Sequence, residues 1–231
     1  LGTSPPRLVL GFMLATGAIS VFISNSATAM MMLPIGLAVI NQITELRQKS
    51  GEAVGEGDRN FPALIMLAIA YAASIGGVGS IIGSPPNAIM VGVAASALGI
   101  EISFFDYMLV GIPIFLVYTF VAWWIMLRVM PPGFNEVPGS REFVRRQLAD
   151  LGPMSNEEWK VLAVFSTAAL LWIIYPFFLK GVVPGISDAM VAIFGAILLF
   201  LIPSGRGRGE FLLDGSAMKR IPWGVLLLFG A

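Results

Sequence analysis

Two short polar stretches carry the residue types best suited to chemistry in this chain: Ser24-Asn25-Ser26 and Gly83-Ser84-Pro85-Pro86-Asn87. Each interrupts a long apolar run that contains no charged residue, Leu8 to Ile40 for the first and Phe61 to Ile100 for the second. Broken helices present carbonyls with partial negative charge at one end and N–H groups with partial positive charge at the other. Ser hydroxyls and the Asn amide add neutral oxygens and donors. Carbonyl and hydroxyl oxygens suit a hard, weakly charged cation such as sodium, whereas helix N-termini with Ser and Asn donors suit a carboxylate or sulfate. Ser20 lies one turn before Ser24 on the same helix face and adds a hydroxyl. The plainer readings are that Ser and Asn glue membrane helices together and that Pro-Pro kinks a helix. Three polar residues at the midpoint of an over-long run, and five consecutive non-apolar or helix-breaking residues in the other, favour binding.

Composition narrows the chemistry. The chain is 57% hydrophobic and 12% charged, with a mean hydropathy of +0.85, which describes an all-α, multi-pass membrane protein. Cys and His are absent, removing disulfides, thiolate nucleophiles, zinc sites of the usual kinds and His-based acid–base catalysis. Lys+Arg and Asp+Glu both number 14, so net charge gives no sign of a nucleic-acid partner. No ionisable residue falls inside an expected span, which leaves no buried carboxylate to carry a proton and favours sodium as coupling ion. Hydroxyls without a base also argue against an enzyme. Gly77-Val-Gly79-Ser-Ile-Ile-Gly83 lacks the spacing and the βαβ setting of a nucleotide fingerprint.

The positioning elements follow from length. A run of about 33 residues would make a helix of about 50 Å, well beyond a hydrocarbon core of about 30 Å. Folded at the triplet, it gives arms over Arg7–Ile23 and Ala27–Gln42, each of about 16 residues and too short to cross comfortably. The expectation is a re-entrant hairpin over residues 1–44. Ser4-Pro5-Pro6 starts its first helix, with Ser as cap. A discontinuous transmembrane helix follows over 61–100. A helix over 103–130 opens on Ser103 and Asp106 in the spacing of a capping box. Residues 131–156 form a cytoplasmic linker. Ser155-Asn-Glu-Glu158 caps a span to about Phe178, Gly181–Gly185 turns, and Ser187 caps another span to Ile202 within a final region, 157–231. Since the chain opens on Leu1 and closes on the apolar run Trp223–Ala231, it is expected to be part of a longer polypeptide.

Charge placement agrees. The segments Glu45–Asn60, Arg128–Lys160 and Ser204–Arg220 hold every Lys and Arg but Arg7 and Lys180. With these three cytoplasmic, alternation requires Leu8–Ile40 to enter and leave on the cytoplasmic side. Trp123, Trp159, Tyr107 and Tyr175 then lie near the membrane faces.

These residues resemble the divalent-anion/sodium symporter family, the sodium-coupled di- and tricarboxylate and sulfate carriers. Ser20-Val-Phe-Ile-Ser24-Asn25-Ser26-Ala-Thr28, continuing to Pro34, is similar to the family's first Ser-Asn-Thr hairpin. Ala70-Tyr71-Ala-Ala-Ser74-Ile-Gly76-Gly77 and Gly83-Ser84-Pro85-Pro86-Asn87 are similar to its unwound fifth helix. The specific match covers most of Leu8–Gly92. The resemblance implies an inverted-repeat ion-transporter fold, a homodimer and an elevator movement of the binding domain. It implies a sodium site formed by Ser20, Ser24, Asn25 and Gly83, the last and Ser24 through backbone oxygen, with Asn87 counted beside them. Substrate would meet Ser24, Asn25, Ser26 and Pro85. Ser26 stands where the family usually has Thr. Residues 157–231 would begin a second repeat, whose own hairpin follows. The implied activity is sodium-driven uptake of C4-dicarboxylates across the plasma membrane. The alternatives are a sodium-independent exchanger, a sulfate or tricarboxylate carrier and, from another class, an anion channel.

Overall fold

A computed structural model describes residues 4–49, 56–134, 152–175, 178, 185–205, 210–219 and 223–224. Among the described residues eight α-helices run in the order α1 (Pro5–Ser20), α2 (Asn25–Lys49), α3 (Glu56–Gly76), α4 (Pro85–Leu98), α5 (Phe104–Val129), α6 (Asn156–Ile174), α7 (Asp188–Leu201) and α8 (Gly215–Lys219). A 3-10 turn, Gly77–Gly79, follows α3 directly. Among the described residues the only β pairing is a single bridge between Pro203 and Phe211. Most of the expected linker, the turn at 181–184 and most of the closing apolar run lie outside the described residues.

The chain forms two compact units, Leu1–Ile100 with Tyr107–Leu151, and Glu101–Asp106 with Gly152–Ala231. In the first, α3 packs along α1 and α2 around a core of Val9, Met13, Leu64, Ile65, Ala68 and Ala72. Small residues bring the backbones together: a Cβ on Gly76 would overlap the Gly17 backbone, and one on Gly17 would strike the Phe115 ring. Lipid tails are as apolar as Leu, so close packing of this kind, rather than exclusion from water, is what associates helices in a bilayer. Trp123 of α5 donates its Nε1–H to the Pro6 carbonyl at 2.8 Å. Leu109, Val117, Tyr118, Val121 and Val129 of α5 remain exposed, as a lipid-facing side would.

In the second unit, Ser155 and Glu158 form the expected reciprocal capping box at the start of α6. The Ser187 side chain accepts from the Met190 N–H at the start of α7. The Phe104 ring stacks on Trp172 with centroids 4.6 Å apart, and its N–H donates to Asp188 Oδ2 at 2.9 Å. Ser103 and Asp106 exchange the capping bonds expected of them at the start of α5.

The boundaries differ from expectation in instructive ways. α2 continues to Lys49 rather than ending near Gln42, because Gln, Glu, Arg and Lys propagate a helix as well as apolar residues do. At 25 residues it is about 37 Å long, so the argument that both arms are too short to cross holds for α1 and not for α2. Among the described residues three helices are long and apolar enough to cross a membrane, over Asn25–Gln48, Asn60–Gly79 and Phe104–Val129. Ser4 sits at the N-cap of α1, but its side chain makes no capping bond.

Candidate functional site

Both breaks begin earlier than their polar residues suggest. α1 unwinds over Val21–Ser24, and Asn25 and Ser26 form the first turn of α2. The second break covers Gly77–Ser84, and Pro85, Pro86 and Asn87 open α4. Proline at the first helical positions loses nothing, since those N–H groups have no intrahelical acceptor. Ser84 ahead of it is extended (φ −148°, ψ 137°), as a residue before proline must be. One consequence concerns anions. The first turn of α4 offers no backbone donor from Pro85 or Pro86, and the Asn87 N–H is taken by the Ser84 carbonyl at 3.0 Å. α2 is different: its first N–H groups, at Asn25, Ser26 and Ala27, have no acceptor within the helix.

The two breaks meet. Ser20 is fully buried, and its hydroxyl lies 2.6 Å from the Ala73 carbonyl in the last turn of α3. The Asn25 amide reaches Ser20 Oγ at 2.9 Å, Ala73 O at 3.0 Å and Gly83 O at 3.2 Å. Its orientation follows from counting protons. Ser20 has one, and the short bond to Ala73 claims it. An Asn25 oxygen turned inward would then face three acceptors, so the amide nitrogen faces inward and donates. Around this point Ser20 Oγ, Ala73 O and Gly83 O are neutral oxygens held together by helix ends.

Glycines make that approach possible. A Cβ on Gly83 would come within 2.6 Å of Gly77 O and 3.0 Å of Ser20 O, and one on Gly77 would overlap the Asn25 amide. Gly111 of α5 closes the back of the second break, against the carbonyls of Val78 and Gly79.

The residues expected to bind ions therefore separate into groups. Ser20, Asn25 and Gly83 converge. Asn87 does not offer its nitrogen to the cluster: Nδ2 donates to Gly77 O and Ser80 O, at 2.8 Å each, and braces the second break from within. Ser24 is exposed, and its carbonyl accepts from the Thr28 N–H at 2.9 Å, as the opening bond of α2. Ser26 and Pro85 are exposed and Asn25 half-buried. Three further participants were not expected among the site residues: the Ala73 carbonyl, Gly77 and Ser80. Among the described residues no group of acidic, His or Cys side chains could hold a metal. Any cation here would be held by neutral oxygens.

What the arrangement can do follows. If the Asn25 amide turns over, its oxygen joins Ser20 Oγ, Ala73 O and Gly83 O, at separations of about 3 Å that match neighbouring ligands on a small hard cation. The Ser20 proton, committed to Ala73, leaves that hydroxyl's lone pairs free for a cation.

Comparison with known proteins agrees. A family described as the sodium:sulfate symporter transmembrane region matches residues 1–231. The chain is 42% identical over 234 residues to the sodium-dependent dicarboxylate transporter SdcS of Staphylococcus saprophyticus, covering all of this chain and 45% of the relative. It is 39% identical over 235 residues to SdcS of Staphylococcus aureus strain USA300, with the same coverage. The chain thus spans a little under half the length of the curated relatives it matches. With three helices among the described residues long and apolar enough to cross a bilayer, it is a multi-pass protein of the plasma membrane. Two broken helices meeting at neutral oxygens, matched along their whole length, make this chain a member of the sodium:sulfate symporter family.

Proposed function

We propose that the protein is a secondary transporter, not an enzyme, in which Ser20, Asn25, Ala73 and Gly83 bind the sodium that drives uptake of C4-dicarboxylates such as succinate, fumarate or malate. The observation that carries this is the convergence of the Asn25 amide on Ser20 Oγ, Ala73 O and Gly83 O, with no ionised side chain among them. A site of neutral oxygens fits a monovalent cation and leaves no proton carrier. The substrate class is supported by relatives described as sodium-dependent dicarboxylate transporters. A substrate carboxylate would be received by the open N–H groups of α2 and the exposed Ser24 and Ser26 hydroxyls, with Asn25 shared between ion and anion and Pro85 on the rim. Asn87 braces the second break through its amide nitrogen, which leaves only its amide oxygen for the ion. α1 and α2 form a re-entrant hairpin, the hairpin and the broken helix move together as an elevator, and the carrier works as a homodimer whose second repeat supplies the other half of the site.

The test is uptake of labelled succinate by the intact protein in proteoliposomes, comparing an imposed sodium gradient, a potassium gradient and internal dicarboxylate. Sodium-driven accumulation is expected, lost in Asn25→Ala at normal protein levels. Acceleration by internal dicarboxylate without sodium would identify an exchanger instead. Preference for sulfate or citrate would redirect the substrate, and non-saturable flux would indicate a channel.

A further inference from the structure

Ser80 is fully buried in the second break, and its hydroxyl makes two bonds. It donates to the carbonyl of Val21, where α1 ends, and accepts from the N–H of Gly83 at 3.2 Å. Residues 59 apart in sequence are thereby joined through one oxygen. The Val21 carbonyl belongs to the last turn of a helix that stops inside the unit, and Gly83 lies outside any helix, so neither group has a regular backbone partner. Gly83 is also the residue whose carbonyl faces the Asn25 amide at 3.2 Å.

We propose that Ser80 is a positioning residue for the sodium site, holding the Gly83 carbonyl of one break at the correct distance from the Ser20 and Asn25 groups of the other; this rests on the sodium reading of that site. The backbone around it supports the assignment. Asn87 fixes the two ends of the same turn through Gly77 O and Ser80 O, which makes the turn a rigid body. That body is attached to the end of α1 by the Ser80 hydroxyl. Ala73 needs no such strut, being part of α3. Of the residues assigned to substrate, Ser24, Ser26 and Pro85 make no bond to Ser80, and Asn25, shared with the ion, is reached only through the Gly83 carbonyl. The effect of losing the hydroxyl therefore falls first on the cation. A side chain that merely filled space would affect folding and leave sodium dependence alone.

The experiment is the sodium dependence of succinate uptake by the intact protein in proteoliposomes, for wild type, Ser80→Ala and Ser80→Cys. A parallel measurement is the sodium-induced rise in thermal unfolding midpoint of purified protein without substrate. Outer partners of metal ligands typically contribute 10–100-fold in affinity, so the half-saturating sodium concentration should rise about tenfold in Ser80→Ala. The sodium-induced thermal shift should weaken in parallel, while succinate KM at saturating sodium and the maximal rate stay within about twofold of wild type. Ser80→Cys fills similar space with a weak donor, should fall between the two, and decides the matter if Ser80→Ala does not fold. Folded variants with wild-type sodium half-saturation, or with a lower maximal rate and unchanged sodium dependence, would overturn the proposal. A wild-type protein indifferent to sodium would instead remove the reading on which it rests.

Discussion

Gly77→Ala tests the site through a residue that could never bind anything by itself. An added Cβ would lie 2.8 Å from Asn25 Cγ and closer still to the end of the amide. Carbon atoms rest at about 3.5–4.0 Å, so the amide must retreat by at least about 0.7 Å. It cannot do so freely, because Asn25 sits in the first turn of α2 with its amide held by Ser20, Ala73 and Gly83. Ligand distances in ion sites are set to within about 0.2 Å, and a misplacement of about 1 Å at a reacting group can cost about 100-fold. The expectation is a 10–100-fold rise in half-saturating sodium, or about 1.4–2.7 kcal/mol. Gly92→Ala is the control: its Cβ would meet nothing within 4 Å, and it lies inside α4, where alanine is the better helix former. Both variants should be assayed by sodium-dependent uptake and by the sodium-induced thermal shift. A Gly77→Ala protein whose sodium half-saturation stays within twofold of wild type would refute the assignment of Asn25 to the site.

Two further predictions concern stability. Thr119 Oγ1 is buried in α5 without a hydrogen-bond partner, so Thr119→Val, which keeps the shape and removes an unsatisfied hydroxyl, should raise the unfolding midpoint by the equivalent of about 1 kcal/mol. A lower midpoint would reveal a partner, such as an internal water. Ser155→Ala removes half of the capping box at the start of α6 and should cost about 1 kcal/mol, seen as faster hydrogen exchange at the Glu158 amide. Sodium and succinate kinetics should not change, and a change would mean that the first turn of α6 takes part in transport.

The long helices among the described residues, the caps at Ser103, Ser155 and Ser187, and both breaks were legible because length, apolar runs and Ser/Pro placement report directly on backbone geometry in a membrane. Boundaries were less so. Asn25 and Pro85 read as parts of a break although each starts a helix, since the residues that favour helix starts are those that favour loops. Asn87 read as a ligand because its amide oxygen could bind a cation, and nothing in its type reveals that its nitrogen also braces the second break through Gly77 O and Ser80 O. The Ala73 carbonyl was invisible for a simpler reason: every residue has one. Gly77, Gly79 and Ser80 did leave a trace, as a run of small residues before Gly83, but glycine spacing alone does not say what lies against the missing side chain.

Whether the breaks lie within the bilayer can be judged by using α5 as a ruler. It has 26 residues and is about 39 Å long, enough to cross a hydrocarbon core of about 30 Å. Gly111, which abuts the second break, is seven residues from its start, placing the break about 10 Å from that end and about 27 Å from the other. The far end gathers the other termini of the first unit. Trp123 holds Pro6 at the start of α1. Beyond α5, Phe134 lies under the guanidinium of Arg47, in the last turn of α2, at 4.3 Å and against Phe61 near the start of α3 at 5.2 Å. α1 therefore begins, and α2 ends, at the same end of the unit as the close of α5. A re-entrant hairpin requires this, as does any antiparallel pair of helices joined by a short turn. The extra length of α2 does not conflict with it. The additional residues, Ile43 to Lys49, extend past the apolar run at the end where Arg47 meets Phe134, and toward the opposite side a hairpin would reach no further than α1 allows. Sixteen residues give about 24 Å, less than a hydrocarbon core of about 30 Å, so the hairpin proposed above would leave the junction of the two breaks inside the membrane.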